Sequence, residues 1–379
     1  MAAFSLLGGR VLIGNGLEEA SVHCGDGLIA SDSSGRAMDA RGYLVLPGLV
    51  DLHGDGFEHH LAPRKGAIKD LAGGLGAAHA EIAANGITTA VMAQFYSWEG
   101  GMRGPEFAAQ VFDLLSTAGA TYATDLIPQL RFEYLMRDDW AEVLELVRHH
   151  KIPYVAMNDH VPHDALRAGK KPPRLTGQAL KAKRSPDTHW ALLQQMHDGL
   201  SRARAEMAGF VHDIRAAGAV IASHDDPNAT TRAYWADVGV EISEFPEAQD
   251  AAQAAIDAGT PVIMGAPNVL RGASHKGNVS ALDLVEAGLC TALASDYHYP
   301  SLLRAAFIVG DRLGLARAWE LVSAGPARVL GRDDRGALDI GKRADMIVVH
   351  AETKMIEGVF AKGRPTYLTG DFAARLLAG

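Results

Sequence analysis

The chain has 379 residues, enough for one large domain or for one large and one small. Hydrophobic residues make up 48% and charged residues 21%, and the formal net charge is −9, which describes an ordinary globular protein and argues against a nucleic-acid partner. Two cysteines exclude a disulfide framework and fit a reducing compartment, and with neither a signal-peptide pattern nor an uncharged apolar run of about 18–20 residues a cytoplasmic protein without a membrane partner is expected.

In chain order, residues 9–16 and 25–31 read as short strands bounded by Gly, Asn and Asp. From about residue 46 the texture changes. Short apolar runs at 49–53, 87–93, 126–133, 153–158, 220–224, 240–243, 261–265 and 291–295 alternate with longer segments of helical period, such as 138–148. Eight strands alternating with helices predict an α/β fold, a parallel sheet covered by helices, and eight is the number that closes a (β/α)8 TIM barrel. Strand texture returns in 336–349 and 354–364. We therefore expect residues 1–45 and 335–379 to pair into a small flanking β-sandwich domain, and 46–334 to form the barrel.

Histidines and carboxylates close several of these runs: His53 and Asp55, Glu133, His160, His224 and Asp296. His53 and Asp55 are two apart, so on a continuing strand they point to one side and can reach one metal. Imidazole and carboxylate without thiolate suit Zn, Mn, Fe, Ni or Co and do not choose among them; one or two divalent ions are expected, zinc first. A barrel gathers strand C-termini that are distant in sequence. Other readings stand beside these. Glu133 could pair with Arg131, Asp296 could cap the helix that follows it, and Asp225 and Asp226 could orient ligands or cap a helix.

A second constellation suits phosphate. Arg64, Arg271, His275, Lys276 and Asn278 fall in loops after strands, and Gly272 and Gly277 let backbone N–H groups turn toward an anion. Segment 164–184 carries seven bases (Arg167, Lys170, Lys171, Arg174, Lys181, Lys183, Arg184) against one acid, Asp164. It is either a solvated surface loop or a lid over a polyanion. There is no Walker A motif, no GxGxxG fingerprint and no Gly-x-Ser-x-Gly elbow.

The run Gly-Tyr-Leu-Val-Leu-Pro-Gly-Leu-Val-Asp-Leu-His (42–53), with Gly-Lys-Arg-Ala-Asp-Met-Ile-Val-Val (341–349), resembles the amidohydrolase superfamily. Within it, Ser-His-Asp-Asp (223–226), the long run 264–279 and Ser-Asp-Tyr-His-Tyr-Pro-Ser-Leu-Leu (295–303) are similar to the PhnM-type diphosphatases of phosphonate catabolism, in the carbon–phosphorus lyase pathway. His-Gly-Asp (53–55), Pro-Arg (63–64) and Asn-Asp-His (158–160) fit the same pattern, where many amidohydrolases begin with His-x-His. The resemblance implies a metal-dependent hydrolase acting on a phosphorylated sugar, α-D-ribose 1-methylphosphonate 5-triphosphate, with release of pyrophosphate. It also implies a double duty for Asp296, metal contact and proton transfer, and a bridging role for Glu133. Two alternatives stay open: a C–N hydrolase acting on a cyclic or N-acyl amide, and a catalytically silent binding subunit. A homo-oligomer is compatible with all three.

Overall fold

The computed structural model describes residues 3–63, 70–272 and 278–378. The chain divides into two compact units, Met1–Val91 with Ala118–Leu126 and Ile263–Gly379, and Met92–Thr117 with Ile127–Val262.

Strands β1 (Phe4–Ile13), β2 (Gly16–Gly25), β3 (Leu28–Ala30), β4 (Arg36–Asp39) and β5 (Tyr43–Pro47) open the chain. The expected run 9–16 turns at its end: Ile13 pairs with Gly16, and Gly14 takes φ 52° in the two-residue connection. Eight barrel strands follow: β6 (Leu49–Gly54), β7 (Ile87–Tyr96), β8 (Asp125–Glu133), β9 (Tyr154–Asn158), β10 (Val220–His224), β11 (Ile242–Glu244), β12 (Val262–Gly265) and β13 (Ala292–Ala294). They form one parallel sheet in sequence order, the predicted eight, and the Gly54–Asp296 bridge brings β6 against β13 to nearly close it. Burial explains the unbroken apolar runs. All ten residues of β7 are buried, as both faces of a helix-covered parallel strand must be.

The last strands, β14 (Met346–His350), β15 (Ile356–Ala361) and β16 (Arg364–Leu368), join β5, β1, β2 and β3 in a mixed sheet to which both ends of the chain contribute. Its core holds Phe4, Val11, Val22, Met38, Tyr43, Met346, Val348, Phe360 and Phe372. The Gly-Lys-Arg-Ala-Asp run has a structural reason. Arg343 Nε donates to Asp345 at 2.8 Å, Asp345 Oδ1 also accepts from Lys362 N at 2.7 Å, and Gly48 N donates to the Asp345 carbonyl at 3.0 Å. The motif thus ties β14 to the corner where β5 becomes β6. Gly48 stands there because a Cβ would lie 2.4 Å from Thr88 Oγ1.

Glu357 accepts from Tyr43 Oη at 2.7 Å and from Phe372 N at 2.9 Å. Burial pushes its carboxyl up, but these donors outweigh burial and hold it below its ordinary value. A depressed folded-state pKa stabilises above the unfolded value of about 4.3 and is lost as pH falls through the folded one. The melting-temperature gap between wild type and Glu357→Gln should therefore narrow between about pH 6 and pH 3. A gap constant with pH would assign the effect to packing.

Candidate active site

In the first unit the site grows from β6. Alternation along the strand puts Asp51, His53 and Asp55 on one side. Asp51 is fully buried and accepts from Ser295 N at 2.8 Å and Ser295 Oγ at 2.6 Å. Burial pushes its carboxyl above the ordinary range against those donors. Two backbone bonds then lock the strand ends: Asp296 N donates to His53 O at 2.8 Å, and Asp55 N to Asp296 O at 2.9 Å. Gly54 is required between the two side chains, since a Cβ would sit 2.8 Å from both Asp51 Oδ2 and Tyr299 Cε1. His53, Asp55 and Asp296 each present a ligand atom within 4.8 Å of the others. That separation and the imidazole–carboxylate chemistry fit a divalent transition ion.

Asp296 has φ 57°, a left-handed backbone that costs a non-glycine residue about 1–3 kcal/mol and clusters at functional sites. It caps no helix. The helix Pro300–Leu313 begins after Tyr299 and has no side-chain cap.

In the second unit Glu133 ends β8, fully buried. It accepts from His160 N at 3.0 Å and Trp98 Nε1 at 3.3 Å, and it pairs with His160 Nδ1. Burial lowers the His160 pKa and the Glu133 carboxylate raises it; the carboxylate prevails. His224 ends β10 with its ring centroid 6.3 Å from that of His160. Arg131, stacked 3.9 Å over the Phe95 ring, places NH2 3.1 Å from His224 Nε2. Asp225, with φ 58°, lies 3.3 Å from His224 Nδ1. Burial alone would raise the Asp225 carboxyl, yet His224, His160 and Arg131 hold it far below its usual range. Neither Asp225 nor Asp226 caps the next helix; Asn228 does, accepting from Thr231 N at 2.9 Å. Asp226 is buried and accepts from Ser223 Oγ at 2.6 Å and Ser243 Oγ at 3.1 Å.

Two buried carboxylates escaped the sequence reading. Glu244 ends β11, one residue beyond the expected 240–243, and accepts from Gln129 Nε2 at 2.8 Å and from Tyr154 Oη. A carboxylate closing an apolar run, as Glu133 does, was the available signal. Asp51 read as part of the Leu-Val-Asp-Leu-His strand itself.

Of the phosphate candidates, Arg64, His275 and Lys276 lie outside the described residues. Arg271 ends the helix Ala266–Arg271, is exposed, and donates to Tyr297 Oη. Asn278 is half-buried. Asn268 ties this helix to residues 279–281, with Oδ1 accepting from Ala281 N at 3.0 Å and Nδ2 donating to Val279 O at 3.3 Å. The basic segment contains two short helices, His163–Arg167 and Leu175–Lys181. Several of its cations meet local partners: Arg167 with Asp164 at 3.0 Å, Lys171 with Asp187 at 3.3 Å, and Arg184 with the Trp98 carbonyl at 2.8 Å. Both cysteines are buried and free.

The nearly closed parallel barrel, with imidazole and carboxylate donors beyond its strand ends, has the architecture of the amidohydrolase superfamily. Its fold is shared with an amidohydrolase (TM-score 0.63, 15% identity, 97% of this chain and 99% of the other), a putative prolidase from Bifidobacterium longum (0.65, 14%, 100% and 98%) and dihydropyrimidinase from Brevibacillus agri (0.60, 11%, 98% and 97%). No protein-family model matches the chain. The chain is 31% identical over 341 residues to the alpha-D-ribose 1-methylphosphonate 5-triphosphate diphosphatase of Escherichia coli (strain K12), covering 87% of this chain and 90% of that protein. It belongs to that diphosphatase family. No helix among the described residues is long and apolar enough to cross a membrane.

Proposed function

We propose that this protein hydrolyses α-D-ribose 1-methylphosphonate 5-triphosphate to the 5-phosphate and pyrophosphate, in phosphonate degradation. The identity to the Escherichia coli diphosphatase along 87% of the chain carries this reading. The proposed ligands for one or two divalent ions, zinc first, are His53, Asp55, Glu133, His160, His224 and Asp296. A bound ion supplies Lewis acidity, which makes a water acidic enough to react near neutral pH.

The chain's own groups do the rest. Asp296 takes the proton of the attacking water. A bond forms from the water oxygen to the α-phosphorus, the bond to the oxygen bridging to the β-phosphorus breaks, and pyrophosphate leaves. Arg64, Arg271, His275, Lys276 and Asn278 bind phosphate oxygens, where fixed cations and N–H donors offset developing charge. Glu133, engaged with His160 Nδ1, fixes that imidazole's tautomer and leaves Nε2 as its ligand atom. Segment 46–334 carries all of these residues, and 1–45 with 335–379 form a small β domain without a part in the chemistry. Two free cysteines accord with a reducing, cytoplasmic setting.

The test is elemental analysis of purified protein with pyrophosphate-release assays on the phosphonate substrate and on ATP. Bound metal and pyrophosphate from the phosphonate substrate are expected. Bound metal with no pyrophosphate from either would move the chemistry to a C–N bond, and metal-free, inactive protein would leave a binding subunit.

Trp98 is the natural probe of the Glu133 side. Trp98→Phe keeps an aromatic ring and deletes the N–H that reaches Glu133 at 3.3 Å. Metal affinity should fall by about 10–100-fold, with activity restored at high free metal. Metal titration of turnover checks this, and an unchanged midpoint would assign Trp98 to packing alone.

A further inference from the structure

The first unit holds another group of nitrogen and oxygen donors, outside the ligand set proposed above. His59 and His60 lie on the one-turn helix Glu58–Leu61, and Glu81 on the helix Leu71–Ala84. His60 Nε2 is 2.6 Å from Glu81 Oε2, and His59 Nε2 is 3.5 Å from the same oxygen. The two imidazole centroids are 4.0 Å apart. One ligand atom from each residue lies within 4.8 Å of the others. The side chains are 61%, 23% and 30% exposed, so an ion could enter from solvent without opening the core.

Consecutive residues on a helix point about 100° apart, yet these two imidazoles converge on one carboxylate oxygen. A hydrogen bond explains His60. It does not explain His59, whose nitrogen is too far from that oxygen for a good one. Two protonated rings this close would also repel. A divalent cation reconciles all three groups, because neutral imidazoles lend lone pairs while the carboxylate offsets charge. Donors about 2.0–2.2 Å from a tetrahedral ion lie about 3.3 Å apart, between the two separations seen here. Two imidazoles and a carboxylate select a zinc-class ion over Mg2+ or Ca2+ and leave a fourth position for water.

We propose that His59, His60 and Glu81 form a second, solvent-accessible site for a divalent transition-metal ion. The ion ties the segment leaving β6 to the helix Leu71–Ala84, so the folded protein gains stability as free metal rises. Asp113, His149 and His150 form a looser cluster, with a carboxylate oxygen 3.9 Å from His150 Nδ1 and an Asp113 side chain 70% exposed. It serves as the control.

The experiment is a Zn2+ titration of the full-length protein against a chromophoric chelator. Wild type and His149→Gln should bind one equivalent more than His59→Gln and Glu81→Gln, and turnover of the two site variants at saturating metal should match wild type. Equal stoichiometry in wild type and both site variants would leave only an ion pair and overturn the proposal. A second measurement needs no variant. Acylation of exposed His59 by diethyl pyrocarbonate, mapped by mass spectrometry, should be suppressed by Zn2+, and labelling unaffected by Zn2+ would also overturn it. Neither the metal stoichiometry nor the labelling depends on the identity of the substrate.

Discussion

Asp296→Asn should lower kcat by about 10^2–10^4-fold while KM changes by less than about threefold. The substitution suits the site. Asn tolerates the left-handed backbone that Asp296 adopts at φ 57°, so the strand-end geometry should persist, including the Asp296 N to His53 O bond. What is lost is the carboxylate proposed to accept the water's proton, and its charge in the cluster with His53 and Asp55. Ala would be a poorer test, because backbone strain without a compensating side chain would add a folding defect. Steady-state pyrophosphate release at fixed metal checks the prediction. A kcat within tenfold of wild type would remove Asp296 from proton transfer.

Arg232→Met should destabilise the second unit by about 3–5 kcal/mol, lowering the melting temperature by roughly 5–15 °C. Arg232 is fully buried. It donates to Ser223 Oγ at 2.7 Å, Val240 O at 2.8 Å and Ile242 O at 3.2 Å, and lies 3.7 Å from Asp226 Oδ2. Burial lowers its guanidinium pKa against the pull of Asp226. Met fills the volume but leaves the Asp226 carboxylate without its buried cation and the Val240 carbonyl without this donor. Asp226→Asn in the same chain should recover part of the loss, since the two residues act as a pair. Thermal melts of the single and double variants measure this coupling. A shift below about 2 °C for Arg232→Met would show that water replaces the guanidinium.

Arg232 and the site share a history in the sequence. The pattern Ile-Ala-Ser-His-Asp-Asp showed a strand ending in a histidine, and β10 ends at His224. It did not show that Ser223 and Asp226 look inward to an arginine from the next helix. Glu133 was legible as a carboxylate at a strand end, but its donors, Trp98 and His160, come from other strand ends. Asp51 was hidden for the same reason. Its partner Ser295 is 244 residues away and meets it where β6 and β13 approach to close the barrel.

Short apolar runs bounded by turn residues marked the eight strands and the imidazoles and carboxylates that close them, and strand texture at both ends of the chain pointed to a shared sheet. These depend on residue spacing of two or on short runs, which the pleat imposes on any strand. Only the tertiary structure decided which carboxylates gather as candidate ligands, as in His53, Asp55 and Asp296, and which are consumed by neighbours, as in Asp51 and Asp226. The physical reason is desolvation. A buried charge must find a donor or a cation, and which one it finds depends on elements that come together only when the sheet closes.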